Sequence, residues 1–282
     1  MCSCKSLKDV FFLPQIQYPA SPFPGVPLEN SFQVLDEFGM KTGSAAVIEF
    51  INHTLLPDRP LNYYLTISAN DSRAFHMLVG AAYARTLLLR QQNAELPARL
   101  YAPCRPQDQA LLASLLDCGF ENDDAVVRKR LILSESDRLP RPPVGTTIAP
   151  VLLETQEDFD ALLRRMNAYT VTAFNYNWIA RMQGEQLFSA WGVWQEDRLL
   201  GEMVMTAYGA EGRIEMLYTR PEVRRRGMAS ALVGQAAQEL LQNGIHSLSA
   251  EVWQRNEPAT QLFDKLQFET LQPVRLYPGM NL

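Results

Sequence analysis

The chain has 282 residues and a mass of 31.9 kDa, a length that predicts two domains of ordinary size. Hydrophobic residues make up 47% and charged residues 20%, which is typical of a folded protein and excludes a mainly disordered chain. The formal net charge of −5 disfavours a protein that is held on nucleic acid by bulk charge, so we expect no nucleic-acid partner.

No apolar run reaches the roughly 18 residues that a membrane-spanning helix needs, and the apolar stretch near the start is too short for a signal peptide. We therefore expect a cytoplasmic protein without a membrane partner. Cys2, Cys4, Cys104 and Cys118 do not form the pattern of a disulfide framework, so free thiols are expected. No histidine pair accompanies Cys2 and Cys4, and no metal is expected.

Residues 1–31 are rich in proline and aromatic residues and predict an irregular segment. Residues 32–133 predict a first domain of strands and helices. Its predicted strands are 32–38, 45–51, 63–68 and 100–102, and its predicted helices are 75–90 and 109–116. A linker is predicted at 134–147, where serine, proline and glycine are concentrated.

Residues 148–282 predict a second domain with the same order of elements. Its predicted strands are 148–153, 187–194, 199–207, 214–219 and 245–253, with a final strand pair after Phe268. Its predicted helices are 155–166, 228–242 and one that is capped by Asn256. The separation of Leu100 from Phe120 equals that of Leu248 from Phe268, with strand, helix and aromatic residue in the same order. This match indicates two copies of one domain.

The segment 215–230 carries the clearest functional signal. A strand runs into three consecutive arginines, and Gly227 lies where a helix begins. A helix N-terminus presents unpaired N–H groups and the positive end of the helix dipole, and a glycine lets an anion approach the backbone closely. The pattern predicts a pyrophosphate site, although the Walker and dinucleotide-binding motifs are both absent.

Here the chain resembles the GNAT superfamily of acetyl-CoA-dependent N-acetyltransferases. The stretch Arg-Arg-Arg-Gly-Met-Ala at 224–229 matches the family pattern Q/R-x-x-G-x-G/A, and 256–268 resembles its N-x-x-A-x-x-L-Y-x-x-x-G-F segment. The resemblance covers about 148–278. It implies an α/β (α+β) fold with two GNAT-like domains in tandem, each a mostly antiparallel mixed sheet flanked by helices, with a degenerate first copy.

The resemblance implies an N-acetyltransferase that moves an acetyl group from its co-substrate acetyl-CoA to a primary amine of a small molecule or peptide. The amine would attack directly in a ternary complex. Because an amine is mostly protonated at neutral pH, a base is needed, and Glu215 and Glu251 stand at positions that serve as bases in some members. The implied donor contacts are Leu217, Tyr218, Thr219, Arg224, Arg225, Arg226, Gly227, Met228, Ala229, Ser230, Asn256 and Phe263.

Two positions depart from the family pattern. Phe263 stands where a tyrosine often protonates the leaving thiolate, and Gln267 replaces a glycine. Phenylalanine cannot donate a proton, so no general acid is assigned. A catalytically weak or inactive CoA-binding sensor or interaction protein is therefore an alternative. A transferase that uses another acyl-CoA or a charged tRNA is a further alternative, and the acidic pI speaks against tRNA.

For the segment that precedes the second predicted strand of the second domain, two interpretations are possible. The segment 167–178 is aromatic and poor in charge, and Tyr169, Phe174, Tyr176 and Trp178 can line a pocket for an apolar or aromatic amine. Equally, these four can be core residues of a second helix.

The first domain lacks the basic glycine loop. Its equivalent turn at 69–74 has no glycine, and Asp71 there would repel a pyrophosphate. We therefore expect that 32–133 binds no acetyl-CoA. His53 and His76 are expected to be structural, because no nucleophile accompanies them. The resemblance also leaves homodimer formation open.

Overall fold

A computed structural model describes residues 13–51, 53, 58–136, 139–170 and 174–282. Its strands are β1 (Gln15–Gln17), β2 (Ser31–Leu35), β3 (Lys41–Ile51), β4 (Leu61–Ala69), β5 (Ala98–Tyr101), β6 (Ala125–Ile132), β7 (Thr147–Pro150), β8 (Leu187–Gln195), β9 (Arg198–Tyr208), β10 (Glu211–Thr219), β11 (Ser247–Trp253), β12 (Glu269–Leu276) and β13 (Gly279–Asn281). Its helices are α1 (Ser72–Arg90), α2 (Gln109–Asp117), α3 (Gln156–Asn167), α4 (Tyr176–Gln183), α5 (Met228–Gln242) and α6 (Glu257–Lys265). The predicted fold class is confirmed, because these elements form two mixed sheets with helices beside them.

The first unit ends at Asp124 and also includes Arg275–Leu282. Its sheet has the order β1-β2-β3-β4-β5-β13, in which only β4 and β5 are parallel. Helix α1 packs on β2, β3 and β4 and buries apolar side chains such as Phe75 and Leu78 against them. This packing gives the first unit its own hydrophobic core.

The second unit is Ala125–Val274, and its sheet has the order β12-β6-β11-β10-β9-β8-β7. Strands β10 and β11 are parallel, whereas β9 and β10 are antiparallel. Helix α5 buries a largely apolar face, including Leu232 and Leu240, on one side of the sheet. Helices α3 and α4 form a smaller cluster with β8 and β9, in which Leu162 and Met166 are fully buried. The two faces of the sheet therefore carry separate apolar clusters.

The division into units differs from the predicted boundaries. It falls after Asp124, before the predicted linker at 134–147, because β6 pairs along its length with β11 in the second sheet. The final strand pair expected after Phe268 is instead two strands in different sheets, with β12 beside β6 and β13 beside β5. The reason lies in burial: Phe268 belongs to the second core, whereas Met280 packs against the first.

Part of the segment 1–31 is regular. Strand β1 pairs with β2 in antiparallel register, and residues Leu28–Asn30 form a short 3-10 helix. Cys2 and Cys4 lie outside the described residues. Cys104 and Cys118 are free thiols, as expected. His76 contacts the Ser72 carbonyl oxygen through Nδ1 at 2.6 Å, one helical turn away on α1.

Candidate active site

Strands β10 and β11 diverge in the middle of the second sheet. Their parallel pairing covers only Gly212–Ile214 of β10 against Leu248–Ala250 of β11, whereas β10 continues to Thr219 alongside β9. Within the described sheet, Leu217, Tyr218 and Thr219 therefore have a strand neighbour on one side only. The backbone groups of Leu217 and Tyr218 that do not pair with β9 face the gap between β10 and β11, where an extended ligand can pair with them. The Thr219 carbonyl oxygen accepts a hydrogen bond from the Arg224 guanidinium at 3.5 Å.

A β-bulge marks the point of divergence. Ile214 pairs with Met205 of β9, and Met216 pairs with the adjacent residue Val204. Glu215, between them, therefore has no partner residue on β9. Bulges bend a strand and re-aim a side chain, and they are common beside active sites. Glu215 therefore lies where the cleft opens.

The loop after β10 leads to an uncapped helix N-terminus. Gly227 adopts the left-handed conformation with φ of 87° as the N-cap of α5, and no side chain caps the helix there. The first turn of α5 contains no acidic residue. The amides of Met228, Ala229 and Ser230 lie in this first turn, whose N–H groups have no partner within the helix. Arg224, Arg225 and Arg226 are exposed next to it: this end can hold an anion.

The corresponding helix of the first unit begins differently. Helix α1 follows β4 just as α5 follows β10, but its N-cap is Asp71, whose carboxylate accepts a hydrogen bond from the Ala74 amide at 2.8 Å. A negative side chain thus already occupies the position that an anionic ligand would need.

Glu215 has the environment of a tuned carboxylate. Its side chain is 14% exposed, accepts a 2.8 Å hydrogen bond from the Thr206 hydroxyl, and lies 4.0 Å from the Arg213 guanidinium. Burial raises its pKa above the ordinary value for glutamate, although the bond from Thr206 and the charge of Arg213 act in the opposite direction. A raised pKa brings a carboxylate closer to the range of a general base at neutral pH.

Glu251 has a more open environment. Its side chain is 42% exposed and forms an ion pair with Arg128 on the neighbouring strand β6, at 3.3 Å. Leu248, Ala250 and Val252 of β11 pack in the cluster under α5, so the alternating Glu251 points to the opposite face. Glu215 points to the same face as Glu251. Its hydrogen-bond partner Thr206 is adjacent to Met205 on β9, and Met205 packs under α5, so Thr206 lies on the opposite face of the sheet. The negative charge of Glu251 contributes to the raised pKa of Glu215.

A buried polar network lies beside the cleft on β9 and β10. The Tyr218 hydroxyl donates to Glu202 at 2.9 Å, and the Arg165 guanidinium binds the same carboxylate with two hydrogen bonds at 2.8 and 2.7 Å. The ring of Tyr169 stacks on Tyr218 with 4.4 Å between ring centroids. Neither Glu202 nor Arg165 was predicted as a site residue from the sequence. A single glutamate inside the apolar strand β9 was the available signal, because such a charge needs a partner.

The four predicted acceptor residues separate into different environments. Tyr169 is half-buried against Tyr218, next to the cleft. Trp178 is buried in the cluster of α3 and α4, and Phe174 packs on it with ring centroids 4.4 Å apart. Tyr176 is 40% exposed at the start of α4. Phe174 and Trp178 therefore fit the prediction of core residues, whereas the position of Tyr169 supports the prediction of a residue that lines the acceptor pocket.

Asn256 and Phe263 have structural partners in the second unit. The Asn256 side chain caps α6 by accepting a hydrogen bond from the Ala259 amide at 3.3 Å. Phe263 is 4% exposed and packs edge-on against Phe268 in the core. Its ring is a core group in these contacts. Leu217, by contrast, is only partly buried where it packs against the same core.

Across the described ranges, His, Cys, Asp and Glu do not gather in a group of three that could hold a metal ion. In the same part of the chain, no helix has the length and apolarity needed to cross a membrane.

Comparison with known proteins places this cleft in context. Residues 192–276 match the FR47-like protein family. Among curated proteins, no sequence matches the chain. The fold is similar to a GCN5-related N-acetyltransferase from Sphaerobacter thermophilus, with a TM-score of 0.52 at 13% identity over 91% of this chain and 82% of that one.

Two further solved structures have the same fold. A GCN5-related N-acetyltransferase from Anabaena variabilis ATCC 29413 gives a TM-score of 0.55 at 15% identity, over 90% of this chain and 63% of that one. Eis1 from Mycobacterium abscessus gives 0.57 at 11% identity, over 95% and 73%. Residues 192–276 therefore resemble the FR47-like family, and the fold of the chain is similar to that of two GCN5-related N-acetyltransferases.

Proposed function

We propose that the second unit binds acetyl-CoA in the cleft between β10 and β11 and transfers its acetyl group to a primary amine. The observation that carries this proposal is the pairing of an open strand edge at 217–219 with an uncapped, basic helix N-terminus at Gly227. The open edge suits the amide groups of a pantetheine arm, and the amides at the start of α5 suit a diphosphate.

Glu215 is the proposed general base. The amine nitrogen attacks the thioester carbonyl carbon, a C–N bond forms, and the C–S bond breaks. Glu215 accepts the proton that the amine loses, directly or through a water molecule, and the CoA thiolate takes a proton from solvent. The burial and raised pKa of Glu215 favour it over Glu251, which is more exposed and paired with Arg128.

The proposed acceptor is a small molecule or a peptide with a primary amine. Tyr169 and Tyr218 form an aromatic surface on the same side of the sheet as the base. The burial of Phe263 in the core supports a second candidate, a protein that binds CoA without turnover, because the position offers no proton donor.

Release of free CoA thiol over a panel of amines, measured spectrophotometrically, tests the proposal. We expect turnover in the wild-type chain and a loss of about 100-fold or more in Glu215→Gln, the usual effect of removing a general base. Glu251→Gln should have a smaller effect. Glu211→Gln, on the same strand, is the matched control and should retain activity.

Two results would contradict parts of this proposal. Tight acetyl-CoA binding without CoA release for any amine would support the non-catalytic candidate. Full activity of Glu215→Gln, together with a large loss in Glu251→Gln, would transfer the role of base to Glu251.

A further inference from the structure

We propose that the first unit has a ligand site of its own, a cleft beside β4 that binds the free carboxyl terminus of a short extended peptide. The cavity has a volume of about 350 Å³ and lies where β5 ends. That volume falls in the range of ordinary small-ligand sites, which is roughly 300–1,000 Å³.

Strand β4 has an open edge beside the cavity. The parallel pairing of β4 with β5 covers only Leu61–Tyr64 against Ala98–Tyr101. Strand β4 continues to Ala69, where its partner in the described sheet is β3 alone. Residues 65–67 of this stretch line the cavity. An extended peptide can pair with such an edge as an added strand, which places its side chains alternately in and out of the cavity.

One wall of the cavity is apolar. It is formed by the buried side chains Leu65, Ala102 and Leu115, and Leu111 of α2 packs beside them. Cys104 also lines the cavity, and burial raises the pKa of its thiol. A buried thiol with a raised pKa is a poor nucleophile, so Cys104 forms part of a non-reactive wall for an apolar side chain.

The cavity is also positively charged. Arg105 and Arg275 both line the cavity, and both are exposed. Neither forms an ion pair with a carboxylate of the described chain, and the lining contains no aspartate or glutamate. A guanidinium matches a carboxylate with two parallel hydrogen bonds, so two unpaired arginines at one cavity favour an anionic group.

The combination favours a peptide carboxylate over a nucleotide. The N-terminus of α1, which would have to receive a diphosphate, already holds the Asp71 carboxylate. The cleft offers instead an open strand edge, an apolar wall and two cations. These features together match an extended backbone, an apolar side chain and one terminal charge.

Affinity selection with the full chain tests this site. The probes are mixtures of acetylated pentapeptides with randomised apolar and small residues, one mixture with free carboxyl termini and one amidated. Peptides retained by the protein after gel filtration are identified by mass spectrometry. We expect retention from the free-carboxylate mixture only. The best peptide, remade singly and titrated calorimetrically, should bind at one site per chain.

Three variants locate the site. Arg105→Met and Arg275→Met should each weaken binding of that peptide at least about tenfold, the usual effect of losing a hydrogen bond to a charged group. Thr66→Trp should weaken it by filling the cavity without a change of charge. Arg73→Met, an exposed arginine of the same unit that does not line this cavity, is the matched control and should bind normally.

Several results would overturn the proposal. These are no retention from the free-carboxylate mixture, equal retention of amidated peptides, and normal binding by Thr66→Trp. Displacement of the peptide by acetyl-CoA would show that the cleft is a donor site instead. Unchanged thermal melting and unchanged acetyl-CoA binding of each variant would separate these results from loss of folding and from any failure of the proposal for the second unit.

Discussion

At the scale of single residues, the proposed chemistry depends on the bulge on β10. Glu215 is placed there by one extra backbone residue, and its charge is controlled by Thr206, Arg213 and its own burial. The sequence placed Glu215 on the correct strand because a strand before a basic glycine loop is a recognisable pattern. The partner Thr206 and the bulge depend on pairing with β9 and could not be predicted locally.

Thr206→Val should move the pH dependence of activity. The Thr206 hydroxyl stabilises the ionised form of Glu215, so its loss raises the pKa of Glu215 further above its ordinary value. A base must be deprotonated to act, and the acidic limb of the kcat/KM profile should shift to higher pH by about one unit, the effect of one hydrogen bond to a charged group.

Ser44→Val, a matched loss of a hydroxyl on β3 of the first unit, should leave the profile in place. An acidic limb that stays at the same pH in Thr206→Val would show that Glu215 does not set it.

At the scale of elements, a helix follows a central strand in both units, but the charge at the start of the helix is opposite. Helix α5 begins at Gly227 with open amides, whereas α1 begins at Asp71 with an amide already bonded. The sequence was sufficient for this contrast, because glycine and aspartate at a helix start have distinct physical effects. The sequence was not sufficient to predict β6, because Arg128, Lys129 and Arg130 interrupt the alternation of apolar and polar residues that is typical of a strand. Lys129 is buried there by pairing with Asp264 of α6, far along the chain.

Gly227→Asp should remove acetyl-CoA binding by reproducing the charge found at the start of α1. The substitution adds a negative charge at the proposed diphosphate site and forces a side chain into a left-handed conformation, which costs about 1–2 kcal/mol. We expect the dissociation constant to rise at least tenfold in a calorimetric titration.

Gly145→Asp is the matched control, because Gly145 also has a positive φ, of 78°, and an added Cβ there meets nothing within 4 Å. Equal weakening by both variants would indicate a general loss of stability.

At the scale of the whole molecule, the final residues of the chain belong to the first sheet. Strand β13 pairs with β5, and the Gly279 carbonyl oxygen and the Asn281 side chain accept hydrogen bonds from the buried Arg99 at 3.0 and 3.3 Å. Two units that share an order of strands and helices were recognisable from spacing, but the assignment of the last strand was not. Which sheet a short strand joins depends on open edges that form only after folding.

A chain that ends at Pro278 should have a less stable first unit. It lacks β13 and with it two acceptors of the buried Arg99, which keeps its ion pair with Asp123; we expect a loss of about 2 kcal/mol or more. All four tryptophans lie in the second unit, so their fluorescence reports on that unit alone, whereas circular dichroism reports on both.

In urea, we expect the truncated chain to lose ellipticity before its tryptophan fluorescence changes. Coincident transitions, at the midpoint of the intact chain, would contradict a role for β13 in the first unit.

The most direct test of the central claim is the stoichiometry of acetyl-CoA binding to the intact wild-type chain, measured by isothermal titration. The open cleft and uncapped α5 in the second unit, and the carboxylate at the start of α1 in the first, predict one site per chain. Two sites per chain would contradict the assignment of Asp71 as a block, and an absence of binding would contradict the assignment of the second cleft as a donor site.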